Sequence, residues 1–408
     1  MKKRRNNPLK WIIWLFAVGF YFYEYLIRVF PSVITEDLIG YFHINTSGIG
    51  ILSAFYLYAY APMQLPVGAL MDRYGARRLL TFACLICGVA TLFFSVTDHV
   101  IVADISRFFM GIGSAFGFIG MIYVCSHWFS GKKLALMIGL GNSIGMLGAV
   151  FGLAFLSYLF QVFPWKDILY ALGIIGIALT VLIYLVMKTE TASVTKQDPK
   201  NKISTKESCK LVLSNGQTWV NAIVAFLYYV TTASFAGMWA TPFFKDVHNL
   251  SNPQAGFCSS MLFLGWIVFC PIIGHLSDKF ENRKIFLLTL PLVSMFLLVF
   301  LIFSSSIPFY LIAISMFFVG MGSSAQLLNF SLAIELNPER TKGFAVAFTN
   351  FLAFVYGAII QTLIGYFLVV TGNNYQVCLL VFPISFLLGF ILCFFIKEKR
   401  HISHITYQ

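Results

Sequence analysis

Twelve times along this chain a mostly apolar run reaches the roughly 20 residues that a helix needs to cross a hydrocarbon layer about 30 Å thick. The runs cover approximately 11–34, 47–70, 79–97, 100–127, 134–158, 167–187, 217–240, 255–276, 284–304, 308–333, 343–368 and 374–396. Only 11% of residues are charged, less than half of the roughly 25% usual for soluble domains, and the mean hydropathy is +0.83. The expected fold class is therefore an all-α membrane protein whose main partner is the lipid bilayer.

Lysine and arginine check the count, because basic residues collect on the cytoplasmic side of membrane helices. With the N-terminus inside, 24 of the 28 fall in the termini and the even-numbered loops. The odd loops hold only Lys166 and Lys245, and Arg28 and Arg107 lie inside spans. Both termini are expected in the cytoplasm. The net charge of +12 is thus a topology signal, and no nucleic acid partner is expected. Lys2-Lys3-Arg4-Arg5 precedes an apolar run but no small-residue cleavage site follows, so that run reads as the first span and the protein as a resident of a bacterial inner membrane. The polar stretch Lys188–Asn215 divides the chain into a six-helix bundle (1–187), a flexible cytoplasmic linker (188–216) and a second six-helix bundle with a cytoplasmic tail (217–408). Cys84 and Cys87 form a C-x-x-C inside an apolar run without a nearby His or carboxylate. They read as packing residues, and no metal or cofactor is expected.

A repeat supports the division. Gly68-Ala-Leu-Met-Asp72-Arg73-Tyr-Gly75-Ala-Arg77-Arg78 recurs as Gly274-His-Leu-Ser-Asp278-Lys-Phe-Glu281-Asn-Arg283-Lys284. Two copies of a six-helix unit in the same orientation are the parallel-repeat plan of secondary transporters. The first copy resembles the signature loop of the major facilitator superfamily. That resemblance implies twelve helices in two bundles related by a pseudo-two-fold axis. It also implies a gate in which the aspartate and the basic residues latch the halves on the cytoplasmic side. The second copy departs from the pattern at Glu281, where a glycine belongs. Arg107-Phe-Phe-Met-Gly111-Ile-Gly113 is similar to the family's R-x-x-x-G-x-G element, which implies an arginine facing the central cavity, and Asp104, one turn away, is an alternative partner for it.

The first span carries the sharpest signal. Tyr21, Glu24, Tyr25, Arg28 and Ser32 fall at i, i+3, i+4, i+7 and i+11, one polar stripe on an apolar helix. Ionisable groups inside a membrane are costly and normally mark a pathway or a partner. Desolvation favours the neutral form of Glu24 and the arginine four residues on favours its ionised form, so the pair is a candidate proton switch loaded by an anionic solute. A permanent, purely structural ion pair is the alternative. Pro31 is expected to kink the outer end. The stretch resembles organic-anion symporters of the superfamily, and the overall pattern resembles bacterial relatives of the lysosomal dipeptide transporter. Those symporters often carry an acid directly before the arginine, where Ile27 stands here.

Gly141, Gly145, Gly148 and Gly152 make a small-residue face on the fifth span, a packing feature. Candidate cavity residues are Asn142, Asn221, Tyr228, Thr232, Gln326, Asn329 and Asn350, with Gln361 beside them and Trp239 as either lining or interfacial anchor. No nucleophile–base pair and no phosphate loop occurs, so no enzyme is read and no catalytic residue assigned. The expectation is an alternating-access transporter, monomeric, of a small polar and carboxylate-bearing solute such as a dipeptide, amino acid or organic acid, with protons as a possible second partner. The alternatives are an exporter of a small metabolite or siderophore, or a receptor that keeps the transporter fold.

Overall fold

The structure, a computed structural model, describes residues 9–187, 205–304 and 307–398. Eleven helices are long and apolar enough to span a bilayer: Leu9–Ser32 (span 1), Ala76–Val96 (span 3), Val100–Trp128 (span 4), Lys133–Val162 (span 5), Trp165–Val186 (span 6), Gly216–Asp246 (span 7), Asn252–Lys279 (span 8), Arg283–Phe303 (span 9), Phe309–Glu335 (span 10), Glu339–Val370 (span 11) and Tyr375–Cys393 (span 12). Span 2, Thr46–Met63, completes the twelve. It is shorter and less apolar because Tyr56, Tyr58 and Tyr60 interrupt it. It also stops sooner than its sequence suggests. Pro62 and Pro66 break the run, and the signature loop begins on a separate short helix, Val67–Tyr74.

The two halves repeat one packing scheme. Span 1 lies on span 5 as span 7 lies on span 11, span 2 on span 4 as span 8 on span 10, and span 3 on span 6 as span 9 on span 12. Between the halves, span 2 packs along span 11 and span 5 along span 8, the two contacts that a pseudo-two-fold axis interchanges. Small residues set these distances. A Cβ on Gly148 would sit 2.0 Å from the Phe22 carbonyl oxygen, and one on Gly256 2.2 Å from the Leu153 oxygen. Thus the glycine face of span 5 receives span 1, and a glycine of span 8 receives span 5.

On the face that carries the described chain ends, both copies of the signature loop cap a neighbouring helix. Arg77 Nε donates to the Tyr184 carbonyl at the end of span 6 at 3.0 Å, and Lys284 Nζ to those of Phe394 and Ile396 after span 12 at 2.8 and 3.2 Å. Basic groups at helix C-termini meet exposed carbonyls and the negative end of the dipole. The irregular Glu281 keeps the turn: it adopts φ 47° where Gly75 has 79°. A non-glycine residue pays roughly 1 kcal/mol for that conformation. The expected linker lies largely outside the described residues, and its described part is not extended, since Thr205–Leu213 is a helix. The basic residues at 2–5 and the tail beyond Glu398 also lie outside them.

Candidate functional site

Glu24 and Arg28 face one another in the middle of the bundle, 0% and 9% exposed. Arg28 Nη2 donates to both Glu24 oxygens, at 2.9 and 3.2 Å. Tyr56, from span 2, donates its hydroxyl to Glu24 Oε2 at 2.7 Å and accepts from Arg28 Nε at 3.3 Å. Glu24 has room because Gly117 of span 4 lies opposite it, where a Cβ would approach its Cγ to 3.1 Å. The guanidinium is boxed by rings: Tyr25 at 4.3 Å, Tyr60 at 4.6 Å, Tyr56 at 5.4 Å and, from the other half, Phe354 at 5.4 Å. Tyr60 and Tyr229 both pack on Phe354, with centroids 4.4 and 5.1 Å apart. Tyr25 meets Phe263 at 6.3 Å. The ion pair therefore lies at the seam between the halves, where relative movement changes its surroundings. Tyr21 meets Tyr25 edge to face and donates to Asn142 Oδ1 at 3.2 Å.

Arg107 has a different part from the one its motif implies. Its guanidinium is 1% exposed; Nη1 donates to the Ile27 carbonyl at 2.7 Å and Nη2 to that of Arg28 at 3.0 Å. The reason lies in span 1. Pro31 has no N–H to give to Ile27, four residues back, and the chain tightens into a 3₁₀ turn over Phe30–Ser32. Arg107 satisfies the carbonyls so released and fixes the backbone of Arg28. It does not pair with Asp104, whose Oδ1 is buried without a hydrogen-bond partner among the described residues. The glycines of the same motif have matching duties: a Cβ on Gly111 would meet the Tyr56 oxygen at 2.1 Å, and one on Gly113 the Ala83 oxygen at 2.5 Å. Two turns of span 4 thus dock on spans 1, 2 and 3.

In the second half the candidates separate. Asn221 and Asn329 bond each other, Nδ2 of each donating to the other residue at 2.9 Å. Tyr228, fully buried, donates to the Leu287 carbonyl at 2.8 Å. These three tie helices of the C-terminal half together. Asn350 donates to Gln64 Oε1 of span 2 at 2.8 Å, across the seam. Gln326 is 2% exposed. Trp239 is no interfacial anchor: it is fully buried and donates to the Gln361 carbonyl at 3.2 Å. Gln361 Nε2 in turn donates to the Ala233 carbonyl at 3.0 Å, inside a π-helical stretch, Thr231–Trp239. Such bulges frequently mark functional positions. Several buried hydroxyls elsewhere bond back to a carbonyl one turn earlier, as Thr91, Thr180 and Thr349 do. Those of Thr231, Thr232 and Ser234 have no partner among the described residues, and neither has Gln361 Oε1. Cys84 and Cys87 direct their thiols at the Gly176 and Met110 carbonyls, as packing residues do.

The two ends of the seam differ. On the face away from the described chain ends the halves are joined, Lys245 to Glu36 at 2.9 Å and Asn252 Nδ2 to the Val33 carbonyl at 2.9 Å. On the other face Arg283 pairs within its own half, with Glu335 at 2.8 Å and Asp278 at 3.4 Å. Asp72, Arg73 and Arg78 are exposed, and among the described residues they form no ion pair across the seam.

Two six-helix bundles that repeat one packing scheme, with a buried ion pair at the seam between them, match the parallel-repeat plan of secondary transporters. Residues 12–360 match the family model of the Major Facilitator Superfamily, and the chain belongs to that family. It is 25% identical to the uncharacterized transporter YybO of Bacillus subtilis, over 95% of this chain and 93% of that one. It is 22% identical to the probable galactarate/D-glucarate transporter GudP of the same organism, over 90% and 88%. Among solved structures it is similar to a bacterial homolog of the human lysosomal transporter Spinster in an inward-facing, occupied conformation. The TM-score is 0.76 and the identity 14%, covering 96% of this chain and 97% of that one. The chain is a multi-pass membrane transporter and not an enzyme.

Proposed function

We propose that this transporter carries a small organic anion by alternating access, together with a proton, across the bacterial cytoplasmic membrane, with both chain ends inside. The observation that carries the reading is the Glu24–Arg28–Tyr56 cluster, an ion pair withdrawn from water at the seam of the halves. An arriving carboxylate takes Glu24's place on Arg28. Glu24 would then be a buried, unpaired charge, which costs about 3–5 kcal/mol, so it takes up a proton. Empty and fully loaded sites carry the same charge. Solute without proton, or proton without solute, leaves a charge unpaired and slows the turn of the halves about 10²–10⁴-fold. The relative that carries galactarate or glucarate supports an organic acid as cargo.

In this reading Glu36–Lys245 and Asn252 shut the outside, and Gln64–Asn350 is the bond across the seam that parts when the inner side opens. The loops containing Gly68, Asp72, Arg73, Gly75, Arg77 and Arg78, and Gly274, Asp278, Arg283 and Lys284, latch the inner face in the other half of the cycle. The test is uptake of a labelled carboxylate panel into proteoliposomes by the wild type and Arg28→Lys. Lysine keeps the charge and loses the fork that holds a carboxylate in two places. Proton-driven uptake of at least one carboxylate, lost in Arg28→Lys, supports the proposal; uptake confined to neutral or cationic solutes, or indifferent to Arg28, refutes it.

A further inference from the structure

We infer that the central site accepts solutes with a single anionic group, so that monocarboxylates are carried and dicarboxylates of the same skeleton are excluded. This rests on the Glu24–Arg28 reading above and narrows it. The argument is an inventory of donors. Of the two guanidiniums within the bundle, Arg107 is 1% exposed and has both Nη atoms bound to the Ile27 and Arg28 carbonyls of span 1. Its Nε is buried without a partner among the described residues, a single N–H that offers no fork to a second carboxylate. Arg28 has Nε on Tyr56 and Nη2 on Glu24, with the Tyr60 and Tyr229 side chains beside the same guanidinium. Protonation of Glu24 releases Nη2, and the two Nη atoms then form one fork. One fork holds one carboxylate.

A second carboxylate would lie toward the C-terminal half. There the spans carry Lys, Arg, Asp and Glu only at their ends: Lys245 and Asp246, Asp278 and Lys279, Arg283 and Lys284, Glu335, Glu339, Arg340 and Lys342. Their middles hold none. What faces the seam from that side is aromatic, Phe354, Tyr229 and Phe263, with neutral hydrogen-bonding groups behind. The unpartnered hydroxyls of Thr231, Thr232 and Ser234 and the side-chain Oε1 of Gln361 belong to elements packed on this seam. A second ionised group would be stripped of water with no cation to bond it, which is strongly unfavourable. A hydroxyl, amide or apolar end meets no such penalty. The fit is a monocarboxylate with an uncharged far end, in contrast to the diacids named for one relative.

The test compares solutes that differ only at the far end: D-gluconate with D-glucarate, and succinamate with succinate. Each is measured on wild type and Arg28→Lys in proteoliposomes, as binding by shift of thermal unfolding and as uptake under an inward proton gradient. The expected result is that the monoanion of at least one pair binds and accumulates at least tenfold better than its dianion, and that Arg28→Lys loses this. Equal or better handling of the dianions, still dependent on Arg28, would overturn the single-anion restriction and leave the proposed function standing. Binding indifferent to Arg28 would overturn both, since the restriction is a statement about carboxylates held by that residue.

Discussion

Arg107 and Pro31 make an experiment in which one defect should repair another. Methionine at 107 keeps much of the volume and removes the guanidinium. Two hydrogen bonds from a charged donor, at 2.7 and 3.0 Å, are lost, and two buried carbonyls are left unsatisfied. Each such bond is worth about 1.5–3 kcal/mol and each orphaned group costs about 1–3 kcal/mol. Relief of the desolvation of a buried cation offsets part of this. Arg107→Met should therefore lose about 2–4 kcal/mol of apparent stability. Pro31→Ala returns an N–H to the chain at the position from which a helix serves the Ile27 carbonyl. In the wild type that oxygen already has Arg107, so the change should gain nothing. In the Arg107→Met background it should recover about 1 kcal/mol, the value of one ordinary hydrogen bond. Thermal unfolding of the four purified proteins in one detergent closes the cycle. Strict additivity, with no recovery by Pro31→Ala, would refute the assignment of Arg107 as the cap of span 1.

Other perturbations are simpler. Gly148→Ala should fail to give a stable protein in the membrane, because its Cβ would stand 2.0 Å from a backbone oxygen of span 1 and overpacking of that kind costs about 1–3 kcal/mol or more; normal expression and unfolding temperature would count against the packing described. Glu36→Gln should loosen the join to Lys245 only slightly, since Glu36 is 70% exposed and exposed pairs are worth at most about 1 kcal/mol. Alkylation of Ser32→Cys from that face should quicken about fivefold or less, and a change of a hundredfold would show a latch stronger than this geometry allows. Asp37, on the short helix Thr35–Phe42 outside the spans, has its carboxyl held above the usual range, chiefly by burial and against the pull of Lys245. Ionisation therefore disfavours the folded form. Asp37→Asn should match the wild type in unfolding temperature below the ordinary carboxylate pKa of about 3.9 and exceed it as pH rises through the folded value; a variant less stable at neutral pH would contradict this.

The spans were legible because a bilayer demands length and apolarity whatever the neighbours are, and their ends were read to within a few residues except where Pro62 cut span 2 short and where span 7 ran on past the expected 240 to Asp246. The stripe from Tyr21 to Ser32 was legible for the same reason, since polar groups in such a helix need somewhere to face. Tyr56 and Tyr60 were missed, although Ser53, Tyr56, Tyr60 and Gln64 follow i, i+3, i+7 and i+11, the spacing that exposed the stripe in span 1; no acid or base stands among them to mark the face. Phe354 offered no signal, because its meeting with Arg28 is made by the docking of two halves some 300 residues apart in sequence. The kink at Pro31 was expected, but the carbonyl it frees, and hence the role of Arg107, follows only when span 4 is seen beside it. The amides and hydroxyls of the second half could not be sorted in advance. In a bundle such groups bond either to neighbouring helices or to cargo, and only contacts separate Asn221 and Tyr228 from Thr232.

The central claim is that Glu24 gives and takes the proton while Arg28 holds the anion. The most direct test is Glu24→Gln assayed twice in proteoliposomes with the solute that the panel identifies: accumulation driven by a proton gradient, and exchange of external for internal solute with no gradient. Glutamine imitates the protonated acid, so the loaded site can still turn while net proton movement cannot occur. The prediction is exchange within a few-fold of wild type and accumulation abolished. Accumulation that survives in Glu24→Gln would contradict the account and place the coupling group elsewhere.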